Sequence, residues 1–149
     1  MLNPDYRDIL SAFVAERVEF LLVGAYALAA HGAPRATGDL DLWIRPTPEN
    51  AHRVWLALAR FGAPLQDIHE RELAAPEMVF QVGRAPRRID LLTGIDGVAF
   101  EEAWRGHIEV IVDGLTVPVI GRSEYLKNKR ATGRLRDLAD IEALGESAD

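Results

Sequence analysis

Apolar residues recur along the chain at two spacings, and these spacings predict where helices and strands lie. The first helical stripe comprises Tyr6, Ile9, Leu10, Phe13 and Val14. Asn3 and Pro4 supply an N-cap and a first-turn proline just before it. This combination predicts an amphipathic helix that ends near Glu16.

Further segments show helical spacing. The stripe that begins after Thr47-Pro48 and ends before Gly62 comprises Ala51, Val54, Trp55, Leu58 and Phe61. We expect these five side chains, including Trp55, to face the core. Shorter helices are predicted at Ala25 to His31, near Ile68 to Leu73, at Phe100 to Arg105, at Ser123 to Thr132 and at Leu135 to Leu144.

Other segments have the short apolar or alternating pattern of strands. They are Phe20 to Val23, Leu40 to Ile44, Met78 to Val82, Arg88 to Leu92, His107 to Val112 and Leu115 to Ile120. Residues 83 to 87 connect the third and fourth strands as a hairpin, and Asp113-Gly114 predicts a type I′ turn between the last two. Pro118 predicts that the last strand lies at a sheet edge.

Length and composition indicate the general class of protein. The 149 residues contain no repeat and no linker, so we expect one domain over 1–149. The 48% hydrophobic and 27% charged residues are typical of a globular protein, and the lack of cysteine excludes disulfides and thiolate metal sites. No apolar run has membrane-spanning length and no signal peptide is evident, so a cytoplasmic protein without a membrane partner is expected.

Charge and motif searches narrow the function. The net charge of -6 argues against a dedicated nucleic-acid binder. Basic residues nevertheless cluster at Arg84, Arg87 and Arg88 and again over 127–136, which leaves room for a local phosphate-binding region. The histidines lack metal-ligand spacing, and P-loop, Rossmann and nucleophile-elbow patterns are missing.

One strand carries two acidic residues in alternation with leucines. Asp39 and Asp41 flank Leu40, so their carboxylates lie on one face of the strand, about 7 Å apart. Such carboxylates repel each other unless a positive group lies between them, and a divalent metal bound to phosphate is the obvious candidate. Upstream, Gly24 either opens a helix whose free N–H groups bind an anion or simply allows a tight turn.

The stretch GAYALAAHGAPRATGDLDLWI, from Gly24 to Ile44, resembles the signature of the nucleotidyltransferase fold, the DNA polymerase β superfamily. The Gly24-Ala25 turn, the Asp39/Asp41 pair and Asp90 in RIDLL match its glycine turn, paired acids and third acid. The residues RATGDLDL are most similar to the small bacterial abortive-infection and toxin-antitoxin nucleotidyltransferases. The resemblance implies an α/β (α+β) nucleotidyltransferase fold with a short mixed β-sheet and helices packed on it.

The C-terminal run adds a second match. Lys129 shares the apolar face of its helix with Tyr125 and Leu126, and Asp137 shares a face with Ile141. An inward lysine needs an anionic partner, which is either bound phosphate or, as a structural ion pair, Asp137. The run also resembles the Lys…Arg-Asp-x-x-Asp tail of the toxin-type enzymes, which implies that Lys129 contacts nucleotide phosphate and Asp137 supports the site.

The resemblance implies a Mg²⁺- or Mn²⁺-dependent transfer of NMP from an NTP to a hydroxyl. The acceptor would be a tRNA or other RNA, a protein or a small molecule, and a toxin-antitoxin or phage-defence system is one setting for the reaction. Asp39, Asp41 and Asp90 would be the catalytic metal ligands. The nucleotide-binding residues would be Gly24, Ala25, Thr37, Lys129 and Asp137. Ala25 stands where the family usually has serine, which favours an alternative: a non-catalytic binding protein that pairs with a toxin-antitoxin partner. An α/β domain with an acidic strand face is a third interpretation.

Overall fold

The computed structural model describes residues 2–34, 38–84 and 87–148. Its strands are β1 (Phe20–Val23), β2 (Asp39–Ile44), β3 (Val79–Arg84), β4 (Arg87–Leu92), β5 (Ile108–Val112) and β6 (Leu115–Val119). Its helices are α1 (Pro4–Ala15), α2 (Gly24–Ala30), α3 (Pro48–Phe61), α4 (Phe100–Arg105), α5 (Arg122–Thr132) and α6 (Leu135–Ala143), with a 3₁₀-helix at Glu70–Ala74. The predicted helices and strands are all present, within a few residues of the expected bounds.

The strands form one mixed sheet in the order β3-β4-β2-β1-β6-β5. β2 runs antiparallel to β1 and parallel to β4, and the register places Asp41 opposite Val23 on one side and Asp90 on the other. β2 is therefore an interior strand that carries Asp39 and Asp41 next to Asp90 on β4. The mixed sheet with six helices confirms the predicted fold class.

Local sequence signals explain the ends of the helices. The Asn3 side chain accepts hydrogen bonds from the N–H groups of Asp5 and Tyr6, and the Thr47 side chain accepts one from Asn50. Gly62 and Gly133 end α3 and α5 in the left-handed conformation. The tight connection at Gly133 brings α6 back against α5, which is why residues from both helices can meet.

Burial differs between the two ends of β2. Leu40, Leu42 and Ile44 are fully buried on one face, and Trp43 is buried on the other, where its ring meets Phe100 edge to face. At the N-terminal end of the same strand, the face that carries Asp39 and Asp41 is only partly covered. The sheet thus opens to solvent at the acidic residues while the remainder of the strand lies in the core.

The prediction that Pro118 marks an edge strand is wrong. β6 lies between β1 and β5, and β5 forms the edge on that side of the described sheet. The β1–β6 ladder pairs Leu22 with Val119, and the N–H of Ile120 donates to the Leu22 carbonyl. The backbone nitrogens of alternate residues in a strand point to the same neighbouring strand, so the nitrogen of Pro118, like that of Ile120, faces β1. Pro118 precedes the short β1–β6 ladder, so its missing N–H lies outside that ladder. An internal strand can therefore accommodate this proline.

The predicted inner face of α3 also needs correction. Trp55 and Phe61 are only partly buried, whereas Asn50 and Ala57 are fully buried. Asn50 Nδ2 donates to the carbonyls of Glu19 and Arg45, each at 2.9 Å, and its Oδ1 accepts from the Glu19 N–H at 2.7 Å. These bonds satisfy the buried amide and turn α3 so that Trp55 lies at the boundary of the core.

Two predictions concern chain connections, and one of them differs from the structure. The predicted hairpin loop of residues 83 to 87 is shorter, because β3 continues to Arg84 and β4 begins at Arg87. The Asp113-Gly114 turn has positive φ at both residues, as a type I′ turn requires.

No helix in the described ranges is both long and apolar enough to cross a membrane.

Candidate active site

Gly24 connects β1 to α2 directly against the Asp41 carboxylate. Its φ is +70°, a conformation that other residues rarely adopt. A β-carbon added there would overlap the Oδ2 atom of Asp41. The chain therefore needs glycine at this position for two independent reasons, backbone conformation and the close approach of a carboxylate.

The parallel pairing of β2 with β4 brings the acidic residues together. Asp41 is the register partner of Asp90, and Asp39 is the register partner of Arg88. Registered partners project on the same face of a sheet. One cavity of about 190 Å³, which we call the carboxylate cavity, is lined by Gly24, Ala25, Asp39, Asp41, Asp90, Lys129, Arg134 and Arg136. Asp39, Asp41 and Asp90 therefore line one cavity.

Asp41 has an unusual proton affinity. Its burial, together with the negative charges of Asp90 and Asp39, raises the pKa of Asp41 to about 6, although Lys129 opposes the rise. When protonated, Asp41 can donate a hydrogen bond to Asp90, which also favours the neutral form. Asp41 therefore keeps its proton to a higher pH than an ordinary aspartate, up to about pH 6.

Asp39 is oriented by its neighbour on β4. The Arg88 Nε atom lies 3.4 Å from Asp39 Oδ1, and both side chains are about four-tenths exposed (43% and 38%). The buried Tyr6 hydroxyl, from α1, donates toward the carbonyls of Gly38 and Arg88. Tyr6 therefore ties the starts of β2 and β4 together beside the first acidic residue.

Lys129 lies between the carboxylate cavity and two buried acids on α6. Its Nζ atom is 3.3 Å from Asp137 Oδ1 and 3.7 Å from Asp140 Oδ2, and the lysine side chain is 12% exposed. Lys129 also lines the carboxylate cavity and acts electrostatically on Asp41. The two roles considered for Lys129 are therefore compatible, since the ion pair holds the ammonium at the cavity wall.

Asp137 is fully buried and has more than one cationic neighbour. Arg134 Nε lies 2.7 Å from Asp137 Oδ2, and Arg134 Nη2 lies 3.2 Å from Oδ1. Burial alone would raise the pKa of Asp137, but hydrogen bonds from Arg134 and Thr132 and the charge of Lys129 hold it well below its usual range. Asp137 is thus a permanent carboxylate that fixes both Arg134 and Lys129.

The carboxylates fit a hard divalent cation in their chemistry. Asp90 Oδ1 is buried and has no hydrogen-bond partner among the described residues, and the pKa of Asp41 is raised first by burial and then by the negative charges of Asp90 and Asp39. Carboxylate oxygens are the ligands that Mg²⁺ prefers. No three acidic, histidine or cysteine side chains in the described ranges are already arranged as a metal site. The Asp39–Arg88 contact gives one reason, because Asp39 is directed to the arginine.

A second, larger cavity adjoins the first. It has a volume of about 490 Å³ and shares Gly24, Asp41, Lys129 and Arg134 with the carboxylate cavity. We call it the adjoining cavity. Its other lining residues are Val23, Val79, Leu92, Gly94, Ile95, Asp96, Asn128 and Thr132. The site therefore consists of a small charged compartment and a larger mixed one that meet at Asp41.

The predicted nucleotide-binding residues are distributed unevenly. Gly24, Ala25 and Lys129 line the carboxylate cavity, and Asp137 lies behind Lys129. Ala25 offers a methyl group there and no hydroxyl. Thr37 lies outside the described residues.

Sequence reasoning missed individual residues that the fold brings to the site. Arg134 and Arg136 line the carboxylate cavity, and Asp140 is a buried partner of Lys129. A signal for Arg134 was present, because it stands three residues before Asp137 at a helix start. No local pattern could have indicated Tyr6, whose partners lie 32 and 82 residues away.

Solved structures with a similar fold include two nucleotidyltransferase-type proteins. One is TM1012 from Thermotoga maritima, a nucleotidyltransferase candidate, with a TM-score of 0.62 and 14% identity over 95% of this chain and 93% of that chain. Another is the lincosamide antibiotic adenylyltransferase LnuA with lincomycin bound, with a TM-score of 0.62 and 14% identity over 97% of each chain. The chain therefore has the nucleotidyltransferase fold. No protein-family profile matches it, and no curated protein matches its sequence.

Proposed function

We propose that the chain, as a single domain over 1–149, is a nucleotidyltransferase that moves NMP from an NTP to a hydroxyl group and releases pyrophosphate. The observation that carries the proposal is the carboxylate cavity, where three aspartates face one lysine and two arginines on a nucleotidyltransferase fold. Opposite charges arranged in this way suit a metal-bound triphosphate, because the acids serve the cation and the basic groups serve the phosphates.

Each side chain has a distinct task in this proposal. Asp39, Asp41 and Asp90 would hold Mg²⁺ or Mn²⁺, which when bound neutralises charge on the attacking and leaving oxygens. Lys129 and Arg134, both fixed by Asp137, would bind phosphate oxygens, and Arg136 would lie at the cavity wall. Asp90 would accept the proton of the attacking hydroxyl, and its partnerless Oδ1 supports that role.

Gly24 and Ala25 would act mainly through their backbone and their small side chains, which leave room in the cavity. The absence of a β-carbon at Gly24 lets the Asp41 carboxylate reach the chain turn. The methyl group of Ala25 leaves the phosphate without the hydroxyl contact that serine gives in the resembling family. We therefore assign the phosphate contacts to Lys129 and the two arginines, which the structure brings to the same cavity.

The acceptor belongs to one of three classes: an RNA such as tRNA, a protein hydroxyl or a small molecule. The protein would act either as part of a toxin-antitoxin pair or outside one. One structural neighbour is an adenylyltransferase for a lincosamide antibiotic, so the fold serves a small-molecule acceptor in that protein. A second candidate function is a non-catalytic toxin-antitoxin partner, which Ala25 favours.

The test is a pyrophosphate-release assay with each of the four NTPs, Mg²⁺ or Mn²⁺, and acceptors from each class. We expect one NTP to be turned over by the wild type and turnover to be lost in Asp41→Asn and Asp90→Asn. Asp113→Asn serves as the matched control, because Asp113 lies in the β5–β6 turn. Equal turnover in all three variants would assign the activity to a contaminant. Tight NTP binding without turnover in the wild type would favour the non-catalytic function.

A further inference from the structure

The two cavities extend from Asp41 in opposite directions along the paired strands β2 and β4. The carboxylate cavity reaches Asp39 at the start of β2, whereas the adjoining cavity reaches Leu92 at the end of β4. Asp41 lines both cavities, and its register partner Asp90 lines the first. A phosphorus atom held over Asp41 would therefore have one compartment on each side.

In-line phosphoryl chemistry assigns an occupant to each side. The attacking oxygen approaches phosphorus opposite the leaving group. Lys129 and Arg134 line both cavities, and the carboxylate cavity adds Arg136, so we assign the highly negative pyrophosphate to the carboxylate cavity. The acceptor must then approach from the other side, through the adjoining cavity.

We propose that the adjoining cavity is the acceptor site and that the acceptor is a small molecule with an apolar body and one reactive hydroxyl. This inference rests on the proposed transferase function. The acceptor oxygen forms the new bond to the α-phosphorus while the bond from phosphorus to the bridging oxygen breaks. Pyrophosphate leaves with that electron pair, and the hydroxyl proton passes to Asp41, which lines both cavities, and on to its hydrogen-bonded neighbour Asp90.

The walls of the adjoining cavity support an apolar acceptor body. Val79, Leu92 and Ile95 form one side, and Val79 is 64% exposed although it belongs to a strand. Asn128 and Asp96 add polar groups, and they are joined by a hydrogen bond from Asn128 Nδ2 to the Asp96 carbonyl at 2.9 Å. A volume of about 490 Å³ lies within the range of small-molecule sites.

The basic residues near the site are poorly suited to a polyanionic acceptor. Outside the two cavities, Lys127 is bound to Glu102 at 2.8 Å. Arg130 donates to the Ser147 carbonyl, and Arg122 pairs with Glu146. Because these three charges are already paired and the net charge is -6, this part of the described surface attracts an RNA backbone only weakly. The charge pattern thus favours a small acceptor over RNA.

The experiment uses 4-fluorobenzyl alcohol as the probe acceptor, because ¹⁹F NMR reports both its binding and its conversion to the NMP ester. Val79→Trp fills the apolar side of the adjoining cavity. Ile111→Trp is the matched control, since Ile111 is also an exposed β-branched residue on an edge strand, 79% exposed, and lies on β5 at the opposite sheet edge. An RNA oligonucleotide with a free 3′-hydroxyl is tested in parallel.

We expect the wild type and Ile111→Trp to broaden the ¹⁹F signal and form the ester. In Val79→Trp the ratio of ester to hydrolysed NTP should fall about tenfold or more, as expected for blocking an apolar pocket. Equal binding and ester formation in both variants would overturn the acceptor site.

The remaining outcomes separate this inference from the proposed function. Labelling of the RNA with no labelling of the alcohol would overturn the small-molecule acceptor while leaving the transferase function intact. Binding of the alcohol that depends on Val79, without turnover of any NTP, would overturn the transferase function and with it the acceptor role.

Discussion

A β-carbon at Gly24 would overlap Oδ2 of Asp41 and lie 3.0 Å from its Cγ. The tight turn after β1 and the central acid of β2 are therefore packed as one unit. This relationship connects a backbone requirement to the position of a proposed metal ligand.

The first prediction concerns this contact. Gly24→Ala should destabilise the fold by more than Gly62→Ala, by roughly 1–3 kcal/mol, because only the former adds a steric overlap to the positive-φ strain. Gly62 has φ +90° and no atom within 4 Å of an added β-carbon, so it measures the strain alone. Urea unfolding of both variants gives the comparison. Equal losses would show that Asp41 moves away freely.

The second prediction concerns pH in metal-free buffer. Asp41 has a pKa of about 6 when folded and 3.8 as its ordinary value, so the folded chain holds the extra proton between these values. Stability from this group is therefore present below about pH 4 and is lost as the pH rises through about 6. The loss is at most about 3 kcal/mol.

Asp41→Asn cannot titrate, so it isolates this contribution. We expect the free energy of unfolding of Asp41→Asn, relative to that of the wild type, to increase as the pH rises from 4 to 7. The measurement is urea unfolding of both proteins in EDTA across that range. Parallel pH profiles would mean that Asp41 has an ordinary pKa.

The third prediction concerns metal and nucleotide. Mg²⁺ or Mn²⁺ added with an NTP should raise the melting temperature, because the ligands neutralise the repelling carboxylates in the folded state. The double variant Asp39→Asn, Asp41→Asn should lose this rise and keep its fold. Thermal unfolding with and without EDTA is the measurement. An undiminished rise in the double variant would place the ligand elsewhere.

The fourth prediction concerns Lys129. Lys129→Met should cost only about 1–2 kcal/mol of stability, since Arg134 still pairs with the buried Asp137. NTP affinity should fall, because a charged contact to phosphate contributes roughly 1.5–3 kcal/mol. Lys127→Met is the matched control, because Lys127 lies on the same helix as Lys129 and forms an exposed pair with Glu102 of α4. It should change neither property appreciably.

Urea unfolding and NTP titration of both lysine variants and of Asp137→Asn complete this test. Asp137→Asn should cost more than either lysine change, about 3–5 kcal/mol, because it leaves Arg134 without its buried partner and Lys129 with Asp140 alone. If Lys129→Met lowers stability strongly without altering NTP binding, Lys129 is a structural residue only.

Local patterns in the sequence determined most of the elements. The helical stripe of α1, the Asn3 cap and the Asp113-Gly114 turn each depend on interactions within a few residues, so the chain encodes them directly. The alternation of Asp39 and Asp41 with leucines likewise fixed which face of β2 is acidic. These are short-range properties, and the structure agrees with them.

Errors arose where distant partners decide the outcome. Pro118 was expected at an edge because a strand proline lacks an N–H, but the shortness of the β1–β6 ladder lets β6 lie inside the sheet. Trp55 was expected in the core because of its spacing, but the hydrogen bonds of Asn50 to Glu19 and Arg45 set the rotation of α3.

The sequence by itself determined the acidic face of β2, the inward Lys129 and the order of the elements, because each follows from side-chain periodicity and turn chemistry. Only the tertiary structure decided that Asp90 lies opposite Asp41, that Arg134 and Asp140 join Lys129, and that two cavities meet at Asp41. Strand register and helix docking depend on burying many apolar side chains simultaneously, and that cooperative balance is not encoded in any one segment.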